Sequence, residues 1–156
     1  MAPEFEPVSE RRILALDLGQ RRIGLAVSDP LRLTAQGLET LQRANNRQDF
    51  AALAKLISQW NVSLLLIGYP LRMSGEEGRQ AQSARLFAEL LSVRTGVPYR
   101  LWDERLTTVE AHRVLRQSRA SIARRARAVD RLSAVILLQS YLDSLAHSSH
   151  WGETPQ

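Results

Sequence analysis

Three places in the chain set carboxylates where chemistry could be done. Asp17 closes the apolar run Ile13–Leu18, Asp103 and Glu104 follow Tyr99–Trp102, and Asp130 stands near the start of the last helical stretch. A carboxylate at the end of a buried strand costs several kcal/mol to desolvate unless it meets a cation or hydrogen-bond donors. Clusters built from carboxylates alone hold hard divalent ions such as Mg²⁺ or Mn²⁺, with waters and a substrate phosphate completing the shell. Two such ions about 4 Å apart can activate a water on one side of a phosphodiester and stabilise the leaving oxygen on the other. That chemistry needs no general-base histidine, and His112, His147 and His150 fall on a helix and in the tail without any constellation around them. Taken singly, each carboxylate could equally be a turn cap or half of a salt bridge. Their joint placement is what points to a site.

The elements that would bring them together can be read from periodicity. Ile13–Leu18 and Ile23–Ser28 are strand-length apolar runs separated by the polar turn Gly19–Arg22, which predicts a β-hairpin. With Leu18 opposite Ile23 and Asp17 opposite Gly24, the small residues Ala15, Gly24, Ala26 and Ser28 share a face with Asp17. That face leaves room for a helix to approach closely, whereas Leu14, Leu16, Leu18, Ile23, Leu25 and Val27 fill a core face. A slip of one residue would exchange the two. Measured from Asp130, residues Ala134, Leu137 and Tyr141 lie at i+4, i+7 and i+11, so Asp130 looks along the buried side of its helix.

Between these points the chain alternates. Leu33–Leu41 reads as a third strand. Asn46 with Asp49 offers a helix start, and Phe50, Leu53, Ala54 and Ile57 mark the inner face of a helix ending near Trp60. Ser63–Ile67 is a continuous apolar run, as in a strand buried on both faces, and the loop 71–78 follows it. A helix with Ala84, Phe87, Ala88 and Leu91 inside stops at Gly96. Tyr99–Trp102 is the last strand, and Thr107 with Glu110 makes a capping box for a further helix. Residues 118–127 lack an amphipathic pattern and read as a loosely ordered basic segment, with the final helix expected from about Val129 to about Leu145. These elements predict an α/β fold: a five-stranded mixed sheet, three antiparallel strands and then parallel ones, flanked by helices. In such a sheet, sites form beyond the carboxyl ends of the strands. One domain is expected over 11–146, with a flexible arm at 1–10 and a flexible tail at 147–156.

Composition narrows the function classes. The chain has 156 residues, 44% of them hydrophobic, and no cysteine, which excludes disulfides and thiolate metal sites and allows a reducing cytoplasm. No apolar run approaches the roughly 18 residues of a membrane helix, and the acidic, Pro-interrupted start is unlike a signal or transit peptide. The net charge of +5 is carried by arginine, since Lys55 is the only lysine. Arginine's planar fork suits phosphate, which suggests a polyanionic partner, although an arginine bias also arises from genome composition.

Asp17-Leu18-Gly19 with Arg22–Asp29, then Gly68–Leu71, then Asp103–Thr108, then Val129-Asp130, together resemble the bacterial YqgF/RuvX family. That family is labelled as Holliday junction resolvases and associated with maturation of pre-16S ribosomal RNA. The resemblance runs from about Ile13 to Leu145. It implies a ribonuclease H-like fold and a metal-dependent nuclease with Asp17, Glu104 and Asp130 as the acidic triad and Mg²⁺ or Mn²⁺, two ions, as cofactor. Adjacent strand residues point opposite ways, which leaves the ligand open between Asp103 and Glu104; Glu104 is favoured for its reach, with Asp103 as a supporting group or cap. Arg72 and Ser74 depart from the family, where Asn and Asp or Asn are more frequent at these positions.

On this reading Arg21, Arg22, Arg72, Arg105, Arg124, Arg125 and Arg127 would contact the nucleic-acid backbone, largely independently of sequence. Gly19 and Gly68 would allow close backbone approach. The expected partner is structured RNA, with branched DNA as the alternative, for a cytoplasmic monomer or homodimer without membrane contact. Junction cleavage needs two active sites in a two-fold dimer, and no dimerisation stripe stands out. A non-catalytic RNA-binding ribosome assembly factor is the reading from another class. An Asp-x-Gly hairpin also opens the ATP-binding actin and sugar-kinase fold, but those proteins duplicate the domain and this chain is too short for two copies.

Overall fold

A computed structural model describes residues 11–105 and 122–151, with side chains over 11–105 and 130–146. The hairpin forms from β1 (Arg12–Leu18) and β2 (Arg22–Ser28), in the expected register: Asp17 pairs with Gly24 and Leu18 with Ile23. Next come β3 (Ala35–Gly37), β4 (Leu41–Gln42), α1 (Asn46–Gln59), β5 (Val62–Tyr69), α2 (Arg79–Thr95) and β6 (Tyr99–Asp103). The final helix, α3, spans Ile122–Trp151.

The sheet has the order β3-β2-β1-β5-β6, with β4 also pairing β2. β1, β2, β3 and β4 are antiparallel neighbours, and β5 runs parallel to both β1 and β6. The expected third strand is therefore split, giving six strands instead of five. Gly37 pairs with Ala26 and Leu41 with Ile23, so three residues on the edge (38–40) face two on β2 (24–25). The extra residue breaks the ladder as a bulge does.

Two apolar clusters lie on the two sides of the sheet. Leu14, Leu16, Ile23, Leu25 and Val27 pack with Phe50 and Leu53 of α1 and Phe87 and Leu91 of α2. Ile13, Ala15, Ala26 and Leu66 pack against Ala134, Leu137, Leu138, Tyr141 and Leu142 of α3. The small-residue face thus takes the close helix, as the alternation predicts. β5 is buried on both faces because it lies between β1 and β6 beneath helices on either side.

Local chemistry sets the helix ends. Asn45, not Asn46, caps α1: its Oδ1 accepts from Gln48 N at 2.9 Å, and Asp49 Oδ1 accepts from Ala44 N at 3.0 Å. Gly96, at φ 72°, closes α2 in the left-handed conformation that glycine adopts without steric cost. α3 starts at Ile122 rather than near Val129, and 122–127 is helical rather than loosely ordered. Its alanines and arginines are strong helix formers whatever their amphipathic pattern. The helix also continues past Leu145 to Trp151. The expected Thr107–Glu110 capping box, and positions 118–121, lie outside the described residues. No helix among the described residues is long and apolar enough to cross a membrane.

Candidate active site

The carboxyl ends of β1 and β6 and one face of α3 carry the acids. Asp17 is the penultimate residue of β1 and points to the α3 side. Opposite it, a Cβ on Gly24 would stand 2.1 Å from the backbone oxygen of Asp130, so only glycine lets α3 come this near. The hairpin thereby seats Asp130 over Asp17. Arg22 Nε donates to Asp130 Oδ2 at 2.7 Å, with both side chains about a quarter exposed. Burial raises the Asp130 carboxyl above its ordinary value and the Asp17 charge adds to that, while Arg22 works in the opposite direction.

Glu104 comes from the other side. Its amide donates to Tyr69 O at 3.2 Å as β6 ends, and its side chain folds back over Gly68 of the neighbouring strand. A Cβ on Gly68 would meet Glu104 Oε1 at 1.9 Å and Cδ at 2.5 Å. The space expected to admit a backbone phosphate at Gly68 is therefore taken by Glu104 itself. Burial first, then a hydrogen bond to Asp17 and the charges of Asp17 and Asp103, push the Glu104 carboxyl up to about 9. The two carboxyls are thus placed to share a proton.

Asp103 turns the other way. It is exposed, accepts from Arg105 N at 3.0 Å and Nε at 2.8 Å, and pairs with Arg105 Nη2 at 2.6 Å. Arg105 holds its carboxyl below the usual range. Strand alternation thus separates the two neighbours, Glu104 toward Asp17 and Asp103 toward Arg105.

The arginines divide unequally. Arg22 is bound to Asp130 and Arg105 to Asp103, so both orient acids. Arg21 is exposed in the hairpin turn, and its carbonyl accepts from Arg43 N at 2.9 Å. Arg72 is exposed in the loop after β5, and its Nε would lie 2.7 Å from a Cβ on Gly78, at the start of α2. Arg124, Arg125 and Arg127 sit in the first turns of α3, and their side chains lie outside the described set. Gly19 uses its amide on Arg22 O at 2.9 Å, closing the turn. Arg43, which no sequence motif singles out, is held by Gly19 O at 2.7 Å, by Asp49 at 3.6 Å and over the Phe87 ring at 5.4 Å. Asp49, only 2% exposed, marks this in hindsight: a buried acid needs a cation, but periodicity does not say which.

The donor set is oxygen only, which suits hard divalent cations. No cluster of three or more His, Cys, Asp and Glu in ligating array occurs among the described residues. What is assembled is the Asp17–Glu104 pair, with Asp130 close enough to influence it electrostatically and tethered by Arg22. Two carboxyls pressed together, with Glu104 raised by burial and by its neighbour Asp17, are what a cation would relieve, so the residues fit such an ion.

A mixed sheet with antiparallel strands first and parallel strands after, closed by a last helix across one face, is a ribonuclease H-like fold. The family model described as RuvX, Holliday junction resolvase, matches residues 11–144, and the chain belongs to that family. A relative from Koribacter versatilis is 55% identical over 132 residues, covering 85% of this chain and 86% of its own length. One from Clostridium novyi is 44% identical over 134 residues, covering 86% and 99%. Both carry the name "Putative pre-16S rRNA nuclease". Thermus thermophilus RuvC in complex with a Holliday junction substrate superposes with a TM-score of 0.53 at 13% identity, covering 86% of this chain and 96% of RuvC.

Proposed function

We propose that the chain is a metal-dependent phosphodiesterase acting on structured RNA in the cytoplasm, with precursor 16S ribosomal RNA as substrate. Asp17, Glu104 and Asp130 are the catalytic acids and would hold the Mg²⁺ or Mn²⁺, two ions. The observation that carries this reading is the Glu104 carboxyl held against Asp17 at the sheet's carboxyl edge. Bound there, divalent ions would supply a water nucleophile and stabilise the leaving oxygen.

The chain's own groups prepare that site. With both ionised, Asp17 and Glu104 would offer four carboxylate oxygens to a cation, the shared proton passing to solvent water. Arg22 fixes the rotamer of Asp130 through a charge-assisted hydrogen bond. Asp103 keeps the Arg105 guanidinium at the rim instead of letting it swing onto the acids. Arg21, Arg72 and the arginines of the first turns of α3 supply the phosphate contacts, so affinity should fall with salt. The names carried by the relatives support RNA as substrate. The family description favours a second reading, cleavage of four-way DNA junctions, which would need two active sites in a two-fold dimer.

Incubating the purified chain with labelled pre-16S RNA fragments and with a four-way DNA junction, in Mg²⁺, Mn²⁺ or chelator, separates the two. RNA cleavage abolished by chelator supports the first reading. Junction cleavage alone favours the second. Binding of both without cutting of either would leave a non-catalytic RNA-binding assembly factor.

A further inference from the structure

A groove of about 570 Å³ lies on the α1 and α2 side of the sheet, the face opposite the one that Asp17 and Asp130 share, and is within the usual range of ligand sites. Leu18, Gly19, Pro70 and Glu104 line one end, so the groove reaches the carboxyl ends of β1, β5 and β6 and meets the candidate active site at that edge of the sheet. Its long wall is α2, where Arg79, Ser83, Leu86 and Leu90 follow one another at i, i+4, i+7 and i+11 along one stripe. Leu86 and Leu90 are 56% and 44% exposed there, large apolar surfaces that the core does not use.

Across from them stands Arg43, whose guanidinium is fixed on three sides by Gly19 O, the buried Asp49 and the Phe87 ring. A guanidinium has five N–H donors, and these contacts leave some of them for a ligand. Glu104 is the one carboxylate among the described residues that line the groove, while Arg43 and Arg79 are its cations.

We propose that this groove is a subsite for an unpaired stretch of the substrate strand next to the scissile phosphate. Arg43 and Arg79 bind its phosphates, and Leu86 and Leu90 cover sugar and base. Single-strand sites combine a positively charged groove with surfaces against which bases pack, usually aromatic rings; here the exposed leucines supply an apolar cover in that place. A subsite of this kind selects substrates with a single-stranded segment beside the cut. The assignment rests on the nuclease reading for the identity of the strand, and on the groove's own residues for its existence.

The test uses the full chain with a fluorescein-labelled single-stranded oligoribonucleotide and a blunt RNA duplex, in chelator, by anisotropy. Arg79→Ala and Ser83→Trp, both at exposed positions, should each weaken single-strand binding roughly tenfold. Duplex affinity should change less than about threefold. Arg79→Ala should also lower the salt slope of the single-strand affinity by about one, and Arg94→Ala, at the far end of α2, should leave affinity unchanged. In cleavage assays the groove variants should raise KM and spare kcat, whereas Asp17→Asn should remove kcat and spare single-strand affinity. Single-strand binding insensitive to Arg79→Ala and Ser83→Trp, with cleavage intact, would overturn the subsite and leave the nuclease reading standing. Absence of cleavage with groove-sensitive binding would do the reverse. If Leu86→Asp and Leu90→Asp changed the oligomeric state and not the affinity for RNA, the wall would be a protein interface and the subsite would be overturned.

Discussion

Gly68 and Glu104 occupy each other's space: the three heavy atoms nearest to a Cβ on Gly68 all belong to the Glu104 side chain, the first at 1.9 Å. The glycine on β5 is what permits the acid after β6 to lie back against Asp17. Gly68→Ala would therefore push aside a flexible side chain and no backbone. Cleavage should fall on the order of 100-fold, the scale on which groups that orient metal ligands act. Unfolding free energy in urea should stay within about 1 kcal/mol of the parent. A large loss of stability would mean that the glycine serves packing and not the site.

Glu104 makes the metal-free protein sensitive to pH. Its carboxyl is raised from 4.5 to about 9 in the folded state, so between those values the folded chain keeps a proton that the unfolded chain has released. Stability is full below about pH 4.5 and falls as pH rises toward 9, by up to about 1.4 kcal/mol per pH unit. Urea titrations from pH 5 to 9 should show this slope, and Glu104→Gln should remove it. Mn²⁺ binding, which requires the ionised acid, should strengthen over the same range and release a proton, measurable by calorimetry in buffers of different ionisation enthalpy.

Gly24 tests how α3 is seated. A Cβ there would collide with the backbone oxygen of Asp130 at 2.1 Å, and a helix backbone cannot step aside as a side chain can. Gly24→Ala should cost about 2–3 kcal/mol in urea and lower activity as well, because Asp130 moves with the helix.

Arg22 acts through Asp130. Arg22→Ala removes the 2.7 Å bond that opposes the burial-driven rise of the Asp130 carboxyl, so that carboxyl should move further up. The variant should lose about 1–2 kcal/mol of stability, and its pH–rate profile should shift to higher pH. An unshifted profile would mean that Arg22 only binds substrate.

Much of this was legible in the sequence because it rests on alternation. The hairpin register, the small-residue face beneath α3, the doubly buried β5 and the inward direction of Asp130 all follow from a period of two or of 3.6, whereas the choice of Glu104 beside Asp17 and Asp130 came with the family resemblance. Relations set by a neighbour on another element escaped that reading. The edge strand splits because one residue is extra between Gly37 and Leu41, a count visible only once the partner strand is known. Gly68 looked like room for a phosphate until Glu104, 36 positions on, filled it. Arg43 owes its place to the buried Asp49 and the Phe87 ring. The basic start of α3 was misjudged because helix propensity, not amphipathicity, extends it to Ile122.

The central claim is that Asp17 and Glu104 form a metal-holding pair that cuts RNA. The most direct measurement is the single-turnover cleavage rate of a labelled pre-16S RNA fragment by the wild-type chain and by Asp17→Asn, each in Mn²⁺ and in chelator. The wild type should cleave in Mn²⁺ and not in chelator, and the variant should be slower by at least about 1,000-fold while still binding the RNA. Cleavage by Asp17→Asn at the wild-type rate, or cleavage by the wild type that persists in chelator, would contradict it.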